Sequence, residues 1–363
     1  MWPYWLLLLG VSYAALSDSG SAHSRTVPAR AGVGRLPWVI FAFVLTVFIG
    51  LRVEVGGDWD RYLVHLEMAG ASSFTGLNNL KDPGYQLLNF LSSRAGLSIW
   101  GVNTACGLIV SLGLVIFCRS LPRPWLAAVI AVPYLIVVVA MGYSRQGVAL
   151  GLVMIGFVAL GQMQIRRFVA WVLLAAAFHK SAVVVLPLAI LVAERRLLVF
   201  PFLLVIGAVA YLLFLDGKLG GLYRGYVVAE YQSAGALVRT LMNALPALIF
   251  LCCPGRFGLS HAQTRLWRWC AIGSLCLLAL VIIIPATTAV DRIALFFIPM
   301  QLVVFSQLPG VFGKTPEIRK LLVVAVITYY ALIQYVWLNY AIHVHAWLPY
   351  RNWLVERVFQ SAV

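Results

Sequence analysis

Phe168-Val-Ala-Trp-Val-Leu-Leu-Ala-Ala-Ala-Phe-His179-Lys180-Ser-Ala-Val-Val-Val-Leu-Pro-Leu-Ala-Ile-Leu-Val-Ala193 sets the topology of the whole chain. Read as one crossing of a bilayer, it buries His179 and Lys180 near the middle, where ionisable side chains cost roughly 2.5–3.5 kcal/mol or more each. Read as two arms, it breaks at His179-Lys180 and returns to the side it came from. Charge decides between them. With the break, one side of the membrane holds Arg25, Arg30, Arg35, Arg119, Arg123, Arg166, Arg167, Arg195, Arg196, Arg256, Arg265, Arg268, Lys314, Arg319 and Lys320. Those are 15 of the 27 basic residues, set against only three of the 12 acidic ones (Asp18, Glu194 and Glu317). A single crossing would invert everything downstream and leave 13 basic residues facing 14. An excess of Lys and Arg marks the cytoplasmic side, so the broken pair is predicted. Arms this short reach about 17–20 Å, the length of half-helices that meet at a buried or cavity-lining break.

Outward from that segment the chain is apolar almost end to end. Hydrophobic residues make up 62% and charged residues 11%, far from the balance of a soluble domain, and runs approaching the roughly 20 residues of a bilayer span recur. The short alternating segments of a β-barrel do not occur. We place crossings near 2–16, 36–51, 97–118, 125–141, 145–162, 168–178, 181–193, 197–215, 237–253, 269–286, 292–308 and 321–341. The expectation is an all-α polytopic membrane protein with about 10–12 transmembrane helices, a single integral membrane domain over 1–363. Met1–Leu16 has no basic stretch ahead of its apolar residues and reads as a first span, not a cleaved signal. The net charge of +15 is spread in short clusters between spans, which speaks for membrane orientation and against a nucleic-acid face. Cys106, Cys118, Cys252, Cys253, Cys270 and Cys276 show no ligand spacing and read as packing residues. No phosphate loop, nucleotide motif or zinc motif is present, so neither a cofactor nor a metal is expected.

This topology puts both termini outside, together with a large loop, 52–96, that carries five of the 12 acidic residues. Residues 142–146, 179–181, 216–236 and 287–292 face the same side. In the loop, Gly56-Gly57 ends the second span and a helix restarts at Asp58. Asp58, Tyr62 and His65 then fall on one helical face. Asp58 reads either as the helix N-cap or as a carboxylate at a cavity mouth that accepts a proton from a sugar hydroxyl. Asp60, out of phase, suits a surface pair with Arg61. Asp82-Pro83-Gly84-Tyr85 starts a second helix, with Asp82 as cap and Pro83 at the first position. That helix should lie in the membrane interface with Tyr85, Leu88 and Leu91 on one side. Trp59, Tyr62, Asp82, Tyr85 and Gln146 are the candidate sugar contacts.

Arg145 opens a span against the helix macrodipole, a placement that an anion held by both the helix end and the guanidinium would explain. Ser181 is a candidate cap aiming a second helix end at the His179-Lys180 break. Asp291-Arg292 reads as a mutual ion pair, or Arg292 reads as a third cation around the same anion. Arg145, Lys180 and Arg292 are thus the candidate pyrophosphate ligands, and Asp58 and His179 the candidate bases. Cations at membrane depth suit a lipid-linked phosphate or pyrophosphate, and carboxylates beside aromatics suit carbohydrate.

The ordered set Gly50-Leu-Arg52, Gly56-Gly57-Asp58-Trp-Asp-Arg-Tyr62, Asp82-Pro-Gly-Tyr85, Arg145-Gln146-Gly-Val-Ala and Phe178-His179-Lys180-Ser181-Ala resembles the EpsG family of Wzy-like exopolysaccharide polymerases. Asp291-Arg292 is similar to the family's late outward-facing polar motif. The resemblance implies sugar transfer at the outer face of a bacterial inner membrane, with an oligosaccharide on undecaprenyl pyrophosphate as donor. The growing polysaccharide and the lipid bilayer would be its partners, with a chain-length regulator or export complex as a further one. A polyprenyl-phosphate-dependent transferase adding one sugar and a lipid-linked oligosaccharide transporter are the alternative readings.

Overall fold

Long apolar stretches free of turn residues become helices throughout the computed structural model, which describes residues 1–18, 34–74, 76, 82–194, 199–205, 207, 232–285 and 287–360. Among these residues there is no strand, only an isolated antiparallel bridge between Arg52 and Asn352. Most of the expected crossing 197–215, most of the outward loop 216–236, and Arg25, Arg30, Arg195 and Arg196 lie outside the described residues.

The first helices are α1 (Trp2–Asp18), α2 (Arg35–Gly50), α3 (Trp59–Ala71), α4 (Pro83–Arg94) and α5 (Ser98–Arg119). Then come α6 (Pro124–Ala131), α7 (Ser144–Gly161), α8 (Ile165–Phe178) and α9 (Leu188–Val192). Beyond them lie α10 (Ala236–Cys252), α11 (His261–Ile283), α12 (Thr287–Ala294), α13 (Pro299–Phe312), α14 (Pro316–Tyr340) and α15 (Trp353–Gln360). Among the described residues four helices, α5, α7, α11 and α14, are long and apolar enough to cross a membrane by themselves. A fifth crossing results if Thr287–Phe297 and Pro299–Phe312, bent by 44°, count as one span. The stretches 35–50, 124–140, 180–192 and 236–252 are apolar but shorter. Apart from 197–215, which lies mostly outside the described residues, the crossings read from the sequence fall on helical segments, but fewer of these than expected have full bilayer length.

The break in 168–193 sits where charge put it. α8 ends at Phe178, His179 is extended (φ −154°, ψ 111°), and a 3₁₀ turn runs over Lys180–Val185. After Pro187 the short α9 packs back against α8, so the chain reverses. A second irregularity was not foreseen: α6 continues as a π-helix over Val132–Ala140, with all nine residues buried. Pro133, which has no N–H to donate, opens this stretch, and π turns are rare enough to point to a functional site. Cys106, Cys118 and Cys270 are buried as packing residues, whereas Cys252 and Cys276 are exposed and packing does not account for them.

The loop is two packed helices, α3 and α4, closed from the far end of the chain. Gly56 N–H donates to Ala346 O at 2.8 Å and Val53 N–H to Arg351 O at 3.0 Å. Trp347, almost fully buried, donates Nε1–H to Val137 O at 2.7 Å, in the π-helix, and its ring fills the space beside Gly142. Gly56 has φ +109°, and a Cβ there would collide with the Met141 carbonyl oxygen. Both the left-handed backbone and the backbone contact require glycine. Gly56→Ala is expected to destabilise the purified protein by about 2 kcal/mol or more, read as a lowered thermal midpoint; an unchanged midpoint would show that the turn can re-form.

Candidate active site

Arg145 is the centre of the site. It stands at the start of α7, and its Nη1–H donates to Asp82 Oδ2 at 2.7 Å, with the two side chains 23% and 12% exposed. The guanidinium lies 6.0 Å from the Tyr62 ring centre and 5.9 Å from that of Tyr85, within cation–π range. Asp82 does precede α4, but its backbone is left-handed (φ 58°) and its side chain makes no cap bond. The carboxylate crosses to Arg145 instead, which replaces the capping role expected of it. Burial, then the Asp58 carboxylate, pushes the Tyr62 phenol up to about 12, and burial also raises Tyr85 well above the ordinary range. Both rings remain neutral walls for the cation.

His179 is half-buried, and Arg292, Arg145 and its neighbour Lys180 all act electrostatically on its imidazole. Its Nδ1 is 2.5 Å from Ser181 Oγ. Ser181 therefore orients the ring, and the expected cap at the second half-helix carries no side-chain cap bond. Gln146 Nε2–H donates to the Arg292 carbonyl at 2.6 Å, tying α7 to α12. Three cations from three separate hairpins thus share His179 as an electrostatic neighbour.

Other candidates are placed differently from expectation. Asp58 precedes α3 without a side-chain cap bond. It takes Arg61 at 3.4 Å, the partner the sequence had given to Asp60. Its carboxylate acts on both Tyr62 and Tyr143. Tyr85 is fully buried, and the exposed apolar residues of α4 are Leu87 and Leu91, so the helix presents a different face from the one read in the sequence. Trp59, Tyr62 and Tyr85 are all buried, and Gln146 is committed to Arg292. These residues hold the site together where direct sugar stacking was expected. His65 Nδ1 lies 3.1 Å from Gln86 Nε2, joining α3 to α4.

Asp291 does not pair with Arg292. Arg239, in the first turn of α10, grips it bidentately, Nε–H to Oδ1 at 2.6 Å and Nη2–H to Oδ2 at 2.7 Å, and Ser233 Oγ–H donates to Oδ2 at 2.9 Å. A carboxylate so saturated fixes α12 against α10, which positions Arg292. Arg239 was missed because nothing near it in the sequence marks Asp291 as its partner. Both side chains are 13% exposed. Arg239→Ala should therefore destabilise the fold by about 3 kcal/mol, since it strands a nearly buried carboxylate. Asp291→Asn should cost less, because its side-chain oxygen can still accept from the Arg239 guanidinium or the Ser233 hydroxyl. Equal, small shifts in the thermal midpoint would show the pair to be slack.

A second unforeseen residue, Arg52, is wholly buried. Among the described residues no group of His, Cys, Asp and Glu has the arrangement of a metal centre.

Comparison with known proteins gives one match. The model of the EpsG family aligns with residues 35–352, nearly the whole chain. No curated protein and no solved structure matches.

Proposed function

Because the chain belongs to the EpsG family, the Wzy-like polymerase-type family, we propose that it joins polyprenyl-pyrophosphate-linked oligosaccharide repeat units at the outer face of a bacterial inner membrane. The observation that supports this reading is that Arg145, Lys180 and Arg292 all act on the His179 imidazole, while Asp82 pairs with Arg145 and the Asp58 carboxylate acts on the Tyr62 ring beside it. In the reaction, a hydroxyl oxygen of the acceptor unit forms a bond to the anomeric carbon of the donor. The bond from that carbon to the pyrophosphate oxygen breaks, and the configuration inverts. Arg145, Lys180 and Arg292 take up the negative charge that grows on the departing undecaprenyl pyrophosphate.

The hydroxyl proton goes to Asp58. His179 is the weaker choice, because a proton there would add a fourth positive charge to three already in place. Arg145 has five donors in a planar fork, so it can keep Asp82 while it binds a phosphate oxygen.

Deleting the protein should leave lipid-linked single repeat units on the outer leaflet and no polymer. Accumulation on the inner leaflet would point to a flippase. A product shorter by one sugar would point to a single-sugar transferase. Either result overturns the polymerase reading.

A further inference from the structure

Arg52 has no exposed surface, and none of its three hydrogen-bond partners is a carboxylate. Nε–H donates to Val55 O at 2.9 Å, Nη1–H to Ile49 O at 2.5 Å, and Nη2–H to Ser144 Oγ at 2.8 Å. The guanidinium carbon lies 6.0 Å from the Trp59 ring centre. Taking a cation out of water without a counter-charge is costly, and lysine could not reach three diverging acceptors with one point charge.

Two of the acceptors belong to the stretch that carries Arg52. The third lies 92 residues away, on the residue immediately before Arg145. Ser144 is 1% exposed and also neighbours the Tyr62 hydroxyl. Tyr62 and Tyr85, the rings beside Arg145, are electrostatic neighbours of Arg52 as well, and the Tyr85 hydroxyl is buried with no hydrogen-bond partner. Arg52 therefore lies directly behind the layer of rings that receives Arg145.

The start of α7 needs such an anchor. The preceding π-helix ends at Ala140 and the helical backbone is interrupted at Tyr143, so no continuous helix fixes where Ser144 and Arg145 begin. We propose that Arg52 is the positioning residue of this site: by holding Ser144 to the outer end of α2 it sets the register in which α7 begins, and so the direction Arg145 takes. The proposal rests on the pyrophosphate reading for its binding readout, but not for its structural one.

The test uses the purified full chain as wild type, Ser144→Ala, Ser144→Thr and Arg52→Lys. Affinity is measured for undecaprenyl pyrophosphate and undecaprenyl phosphate, and hydrogen exchange is followed in the segment 143–148. Ser144→Ala should weaken pyrophosphate binding roughly tenfold, the scale of a lost bond to a charged donor. It should also lower the pyrophosphate-to-phosphate preference and speed exchange at the start of α7, while Ser144→Thr restores all three. Arg52→Lys should behave like Ser144→Ala or worse; if it does not accumulate, the serine pair decides alone. Wild-type exchange and preference in Ser144→Ala would overturn the proposal. So would affinities for both lipids that fall in equal proportion, because that is the mark of general loosening. If the wild type binds neither lipid, the pyrophosphate reading fails and the exchange data alone decide the positioning role.

Discussion

Arg145→Ala is expected to abolish polymer while the protein still inserts and accumulates. One cation that stabilises charge in the transition state is worth about a hundredfold to a thousandfold in rate, enough to empty a polymer ladder. The same substitution strands Asp82, whose carboxylate is 12% exposed in the intact pair and would lose its guanidinium. Breaking such a pair costs about 3 kcal/mol. Loss of polymer by itself would therefore not separate chemistry from stability. Adding Asp82→Asn to Arg145→Ala removes the stranded charge, so the thermal midpoint should recover and polymer should not. Lys180→Ala should give the same loss of polymer. Wild-type polymer from either single variant would sink the assignment. Polymer returning in the double variant would show the pair to be a strut.

The second large effect is expected at Asp58. Asp58→Asn keeps the shape and removes the proton acceptor, and should slow turnover by about a hundredfold to ten-thousandfold with little change in substrate affinity. His179→Gln should fall well short of this. The half-buried imidazole already feels the charges of Arg292, Arg145 and Lys180, and its proposed part is to hold position through Ser181. The measurement is initial rate and half-saturation with a lipid-linked repeat unit in proteoliposomes. The reverse order of effects would transfer the base to His179.

Much of this site could be read before any coordinates, because its cations break rules that apolar spans otherwise obey. Arg145 opposes a helix dipole, His179-Lys180 interrupts a hydrophobic run, and charge bias chose a broken pair over a single crossing at that interruption. What could not be read is who pairs with whom. Asp82 meets Arg145 across 63 residues, Asp291 meets Arg239 across 52, and Arg52 meets Ser144 across 92. In a chain where every span is apolar on all sides, periodicity names no packing face, so nothing local reveals these neighbours. The π-helix was equally hidden, since Val132–Ala140 is uniformly apolar and its pitch depends on what packs around it. Capping rules misled at Asp82 and Ser181 because each side chain had a stronger partner than the helix end, distant for Asp82 and adjacent for Ser181.

The closure of the outer loop by Ala346, Trp347 and Arg351 has a bearing on biogenesis. As the chain emerges, Gly56 and Gly142 are delivered early and the tryptophan that lies against Gly142 comes some two hundred residues later. Until that stretch is in the membrane, Val137 lacks the indole donor and Gly56 lacks its Ala346 carbonyl. A nascent chain that has reached Arg292 thus carries all three cations, while the brace that completes their surroundings comes only with Ala346 and Trp347.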